Sequence, residues 1–284
     1  MYKGVPTLLI NDIPYPPYLY FFCVPLEKYI KHFHDAGVRI YTWGWGSIIP
    51  HSMDIGWFGP GKHDYEHFDR EVEQIVKADP EAYLLPRLAV TPPSWWYDLH
   101  PDEMCVFDNG IKEGVSMASK IWREEAGEAL AKFISHVRSS PYKDHFIGYQ
   151  ITGGRNEWFY THRIDAFPDY SEPMLYGFRE WLRNKYKNDT SALRRSWKIP
   201  DVDFDNATLP TRMEKMKADM NLFRDPSASR RVSDYFEFHS DTVAEALIHF
   251  CKIGKEATNN ESIFGAFYGY IISAAGFPSL PQHW

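Results

Sequence analysis

Short apolar runs alternate along this chain with longer stretches of helical period. The first run is Tyr18-Leu19-Tyr20-Phe21-Phe22; after Pro25, residues Leu26, Tyr29, Ile30 and Phe33 fall on one helical face until Gly37 stops it. Val38–Trp43 is the second strand, and Phe68, Val72, Ile75 and Val76 mark the next helix. Ala82–Val90 is a third strand, ended by Thr91-Pro92-Pro93. A helix burying Ala126, Leu130, Phe133, Ile134 and Val137 precedes the fourth strand, His145–Ile151. Helical patterns over Glu172–Lys187 and Val232–Ala257 then lead to a fifth strand, Ser262–Tyr270.

Strict βαβα alternation predicts a parallel sheet covered by helices, either a barrel or a doubly wound sheet. No Gly-rich phosphate loop follows the first strand, where Tyr20-Phe21-Phe22-Cys23-Val24-Pro25 stands instead. The predicted class is therefore α/β of the (β/α)8 TIM-barrel type. No linker or repeat interrupts the pattern, so the chain reads as one domain over 1–284. A full barrel takes about 250 residues, yet only five βα units can be placed. Three more units of roughly 30 residues each do not fit into Ile271–Trp284, so the expectation is a barrel truncated after its fifth strand. Such a fragment exposes a sheet edge, and either homo-oligomerisation through that edge or aggregation is expected.

Composition narrows the function. The 284 residues are 44% hydrophobic and 24% charged, enough for one large core. A net charge of −7 leaves no basic surplus for phosphates, so nucleic acid is not an expected partner. No apolar run approaches the length of a membrane span. The opening Met-Tyr-Lys-Gly-Val-Pro lacks an apolar export signal, which points to the cytoplasm, or to export if an upstream signal was removed. Cys23, Cys105 and Cys251 form no disulfide framework. Aromatic content reaches 17%, with 10 Trp and 18 Tyr, which suits flat ligands with apolar faces and polar edges.

In a barrel, chemistry sits at the C-terminal ends of strands. Three of those ends carry paired aromatics: Trp43 and Trp45, Trp95 and Trp96, Phe267 and Tyr268. The fourth carries Asn156-Glu157 between Gly153-Gly154 and Trp158-Phe159-Tyr160. A carboxyl set among such rings has its charged form desolvated, which raises its pKa and makes Glu157 a candidate general acid. Asn156 beside it can hydrogen-bond a sugar hydroxyl. His63-Asp64-Tyr65-Glu66-His67 matches H-x-x-E-H, but Asp64 reads as the N-cap of the next helix and leaves His63 outside it, so no metal is expected. Asn188, Asn206 and Asn260 open glycosylation sequons, which matter only on a glycosylating export route.

Four stretches in order resemble the catalytic barrel of clan-A retaining glycoside hydrolases, nearest to the β-galactosidase type of glycoside hydrolase family 42. They are Asp35–Trp43; Thr91-Pro92-Pro93-Ser94-Trp95 with His100-Pro101-Asp102; Phe178–Tyr186; and Ala192–Trp197. The resemblance implies Glu157 as acid/base, Asn156 on the sugar 2-OH, and no cofactor. It also implies hydrolysis of β-galactosides or related oligosaccharides through two carboxylates, the nucleophile following the seventh strand. Trp43, Trp45, Trp95, Trp158 and Tyr268 are the rings expected to line the sugar. Gly153-Gly154-Arg155 ahead of Asn-Glu departs from the family pattern. After Glu261 the sequence has no Asp or Glu, so the nucleophile is expected beyond the given chain, with Asp54, Asp98 and Asp102 as remote substitutes. The competing expectation is a non-catalytic carbohydrate-binding or scaffold protein derived from the same barrel.

Overall fold

A computed structural model describes residues 2–5, 7–44, 54–154, 166–217 and 224–267. The N-terminal third holds β1 (Leu8–Ile10), β2 (Ile13–Tyr15), β3 (Leu19–Phe22), α1 (Glu27–Asp35), β4 (Ile40–Trp43), β5 (Trp57–Gly59), β6 (Lys62–His63) and α2 (Glu66–Ala78). Then come β7 (Tyr83–Leu84), β8 (Arg87–Ala89), α3 (Ser94–Leu99), β9 (Met104–Val106), β10 (Lys112–Val115), α4 (Lys120–Ser139) and β11 (Gly148–Thr152). Helices α5 (Glu172–Lys185), α6 (Thr190–Trp197), α7 (Arg212–Met216) and α8 (Arg230–Ala257) precede β12 (Ile263–Gly265). The chain divides into two compact units. One comprises Met1–Val90, Ala126–Thr152 and Phe250–Ala266; the other comprises Thr91–Glu125, Gly153–His249 and Phe267–Trp284.

The first unit contains the parallel sheet. β3 pairs with β4 and β4 with β7; β8 pairs with β11 and β11 with β12, all in parallel. β7 and β8 are two halves of the expected third strand, parted at Leu85-Pro86 because proline has no N–H to give the ladder. The ladder continues across the break, since Leu85 N–H bonds the Tyr41 carbonyl at 2.8 Å and Gln150 N–H bonds the Pro86 carbonyl at 2.9 Å. A Leu84–Phe146 bridge also joins the halves. The five expected strands therefore lie side by side in chain order.

Local chemistry sets the helix ends. α1 closes in a Schellman arrangement: Gly37, at φ +83°, donates to the His34 carbonyl at 2.9 Å, and Val38 donates to that of Phe33 at 2.9 Å. Val38 is thereby drawn out of the second strand, which starts at Ile40. Before α2 the N-cap position is Tyr65, not the expected Asp64, and no side chain caps it; Asp64, one residue earlier, accepts the Glu66 N–H through Oδ1 at 2.9 Å. The fifth strand is shorter than expected at Ile263–Gly265, and residues 268–284 lie outside the described ones.

Alternation gives the sheet two faces. Tyr20 stacks on Phe33 of α1 at 3.8 Å, and Phe22 packs against Trp43, so Leu19 and Phe21 point the other way. On the outer face Tyr41 donates to Asp79 at 2.7 Å, and Tyr149 stacks on Phe264 at 5.3 Å. On the inner face the Arg87 guanidinium lies over the Phe21 ring at 5.2 Å.

The second unit has its own core of Met174, Phe178, Leu182, Leu193, Trp197 and Tyr235. Ser171 and Asp189 cap α5 and α6 by accepting the N–H groups of Met174 and Ala192, and Thr211 with Glu214 forms a capping box on α7.

Candidate active site

The strand ends expected to carry chemistry are built by backbone bonds the structure shows directly. Val90 N–H donates to the Thr152 carbonyl at 2.9 Å, and Thr152 Oγ1 donates to the Leu88 carbonyl at 3.1 Å. These bonds fix β8 and β11 in register at their C-terminal ends. β11 stops at Thr152, three residues before the first residue outside the described set. Glu157, Asn156 and Trp158, in 155–165, lie outside the described residues, as do Trp45, in 45–53, and Tyr268, in 268–284.

Trp43 and Trp95 are described, and they differ. Trp43 is 1% exposed, packs against Phe22 and Phe68, and donates its indole N–H to Glu71 at 2.9 Å. Its ring belongs to the helix-facing core, so it offers no free face to a sugar. This corrects the expected stacking role: a covered parallel sheet is apolar on both faces, and the strand's odd positions happen to point at α2. Trp95, half-buried, is the second residue of α3 in the other unit. Its neighbour Trp96 is fully buried and bonds Glu125 at 2.6 Å.

Two buried charged residues, one on a strand and one on a helix, bear on these strand ends and belong to no motif in the sequence. Arg87 is 6% exposed and donates to the Gly44 carbonyl at 2.9 Å, a buried cation tying the third strand to the end of the second. Glu71 is buried on α2, and burial lifts its carboxyl to about 7, with the Trp43 N–H opposing that rise. Both left a signal. Arg87 interrupts an otherwise apolar strand, and Glu71 falls three residues after Phe68 on the buried stripe of α2.

The carboxylates considered as substitutes for the nucleophile are exposed: Asp54 in the first unit, Asp98 and Asp102 in the second, with Lys112 3.7 Å from Asp102. The H-x-x-E-H residues are separated by structure, since His63 ends β6 and His67 lies on α2, 3.6 Å from Glu71. Elsewhere His34, Asp79 and Glu81 bring ligand atoms together. There Asp79 is already satisfied by Tyr41, by the Glu81 N–H at 2.9 Å and by His34 at 2.8 Å, and Arg39 stands 3.4 Å from Glu81. It is an ion-pair cluster on the helix side of the sheet. Among the described residues no helix is long and apolar enough to cross a membrane.

The family model for glycoside hydrolase family 42, described as Beta-galactosidase, matches residues 26–277. No curated protein matches the sequence significantly. Among solved structures, the beta-galactosidase of psychrophilic Marinomonas ef1 is similar at TM-score 0.65 and 19% identity, covering 89% of this chain and 37% of its own. That of the Antarctic haloarchaeon Halorubrum lacusprofundi gives 0.63 and 21%, covering 89% and 36%. The catalytic domain of a beta-amylase from Paenibacillus polymyxa gives 0.68 and 13%, covering 87% and 64%. The chain thus spans little more than a third of the length of the beta-galactosidases it resembles. With the strand order above, these likenesses make the fold a (β/α)8-barrel type.

Proposed function

The chain belongs to glycoside hydrolase family 42, and from that premise we propose that it supplies the acid/base half of a β-galactosidase-type active site. The observation that carries the reading is positional: the family match spans Glu157, and Glu157 follows the C-terminal end of β11 in a parallel sheet by five residues. In a barrel that is where a catalytic carboxyl belongs. The substrate class is a β-galactoside or related oligosaccharide.

The proposed mechanism is retaining. Glu157 protonates the departing glycosidic oxygen and then, as its carboxylate, takes a proton from the incoming water, while Asn156 holds the sugar 2-OH. Trp45, Trp95, Trp158 and Tyr268 are the proposed sugar-facing rings, whose faces match the axial C–H groups of a pyranose. A retaining pair stands about 5–5.5 Å apart, and no Asp or Glu follows Glu261. The nucleophile is therefore proposed to lie outside these 284 residues. By themselves, these residues are proposed to bind galactosides without turning them over.

The experiment compares Glu157→Gln with the parent in the gene product that contains this chain. Hydrolysis of lactose falls by about a hundredfold or more, while a nitrophenyl galactoside, whose leaving group needs little proton assistance, is largely spared. Equal loss on both substrates, or none on either, rejects the role of Glu157. Saturable galactoside binding with no hydrolysis by any form of the protein supports the non-catalytic alternative.

A further inference from the structure

The C-terminal end of β4 is held from both faces of the sheet. On the helix side the Trp43 indole N–H donates to Glu71 Oε2 at 2.9 Å, and both side chains are buried. On the inner side Arg87 donates to the Gly44 carbonyl at 2.9 Å. Between them Gly44 takes φ +108°, and its own N–H bonds back to the Phe22 carbonyl at 3.2 Å. Three interactions thus converge on two consecutive residues, at the end of the strand where a barrel arranges its site.

Of these, the Glu71 contact is the one chosen by side-chain chemistry. A leucine on α2 would fill the same space without the desolvation cost of a buried carboxyl. What the carboxyl provides and a leucine cannot is an acceptor for the Trp43 indole, a donor-only group that is costly to bury unpaired. Among the described residues its polar partners are Trp43 from β4 and His67 from its own helix, 3.6 Å away and half exposed. No other strand or helix presents a charged side chain to it within that set.

We infer that Glu71 is a positioning residue for the rim of the sheet: its carboxyl fixes the Trp43 indole and, through it, the backbone turn at Gly44. The functional meaning rests on the site proposed above, whereas the geometry does not depend on it. Because burial lifts the Glu71 carboxyl to about 7, the acceptor seen by Trp43 changes from carboxyl to carboxylate across neutral pH.

The test is nitrogen-15 NMR of the 284-residue chain, with Trp43→Phe identifying the Trp43 indole signal. That signal moves with a midpoint near 7 in the parent and loses the transition in Glu71→Gln. Amide exchange at Gly44, taken relative to Leu130 in α4, rises by about tenfold or more in Glu71→Leu, the scale of one lost hydrogen bond to a charged group. Glu71→Gln, which keeps an acceptor oxygen, holds the rise below about threefold. Trp43→Phe, which keeps a ring and loses the donor, reproduces the leucine result and decides the matter if Glu71→Leu does not fold. Exchange at Gly44 that rises no more than at Leu130 would mean general loosening and overturns the inference, as does a glutamine variant no better than the leucine one. Galactoside assays on the same variants keep the two readings apart. A parent protein that neither binds nor hydrolyses galactosides defeats the proposed function and leaves the exchange result standing.

Discussion

The Arg87 guanidinium donates to the backbone carbonyl of Gly44 at 2.9 Å, so a buried cation on the third strand ends the second. The same guanidinium lies over Phe21 at 5.2 Å and thereby reaches the first strand as well. Arg87→Met keeps the stem and removes the fork. It is expected to lower stability by about 2–4 kcal/mol through the lost charged hydrogen bond and the carbonyl left buried. Arg87→Lys recovers only part of that, because an ammonium cannot both bond the carbonyl and cover the ring as a planar group does. Urea unfolding of the three forms measures it; equal midpoints would show that the tie carries no energy.

Gly148 opens β11 where no side chain fits. A Cβ there would stand 2.3 Å from Ile263 Cγ1 and 2.4 Å from the Ile263 carbonyl oxygen. The side chain could swing away, but the carbonyl belongs to the β11–β12 ladder, in which Gly148 faces Ile263. Gly148→Ala is therefore expected to cost about 1–3 kcal/mol, the usual scale of overpacking. Protection of the amides of β12 should fall further than that of β3, four strands away. Uniform loss of protection across the sheet would contradict a local cause.

Much of this architecture is legible in the sequence because parallel strands, buried on both faces, read as continuous apolar runs broken by helical periods. Gly37 and Pro92-Pro93 mark ends that the structure keeps. The same continuity hides which side a residue faces: Tyr41 and Trp43 look no more inward than Ile40 and Thr42, yet both point to α2. The hairpins β1–β2, β5–β6 and β9–β10 escaped notice because strands of two to four residues carry no measurable period. β1–β2 did leave a turn signal, since Asn11 and Asp12 both take positive φ, as a two-residue hairpin loop requires. Arg87 and Glu71 read in the sequence as solvated positions, because a charged residue is ordinarily an exposed one. Only the fold shows their partners.

Asp234, wholly buried in the second unit, collects four donors. Tyr186, Trp197 and Arg230 each lie 2.7 Å from it and Lys185 3.1 Å. Asp234→Asn keeps the shape, but it removes the charge that two cations face and points an N–H₂ at groups that themselves donate. Removing one partner of a buried ion pair costs about 3–5 kcal/mol, and the half-exposed Arg230 lets water soften this toward the lower end. Thermal unfolding of the two forms checks it. A variant as stable as the parent would mean that the network is replaceable.

Lys215 gives the second unit a pH dependence whose sign can be worked out. Its side chain is 5% exposed, and its ammonium donates to the Pro168 carbonyl at 3.0 Å and lies 4.1 Å from the ring centres of both Tyr170 and Tyr235. Burial pushes the amine down to about 7, although Asp169, Asp108 and Cys105 pull the other way. In the unfolded chain a lysine titrates near 10.4. Between these two values the unfolded chain binds a proton that the folded one has released, so stability rises with pH across that window. Below about 7 both states are protonated and the dependence vanishes. Lys215→Met removes the proton and keeps an unbranched chain between the two rings. Its unfolding free energy should therefore climb less between pH 7.5 and 9.5 than that of the parent, a range chosen below the tyrosines, which titrate near 10. Chemical unfolding at four pH values in that range decides it. Parallel lines for the two proteins would show that the folded lysine keeps its ordinary pKa, with the rings and acids around it offsetting the burial in full.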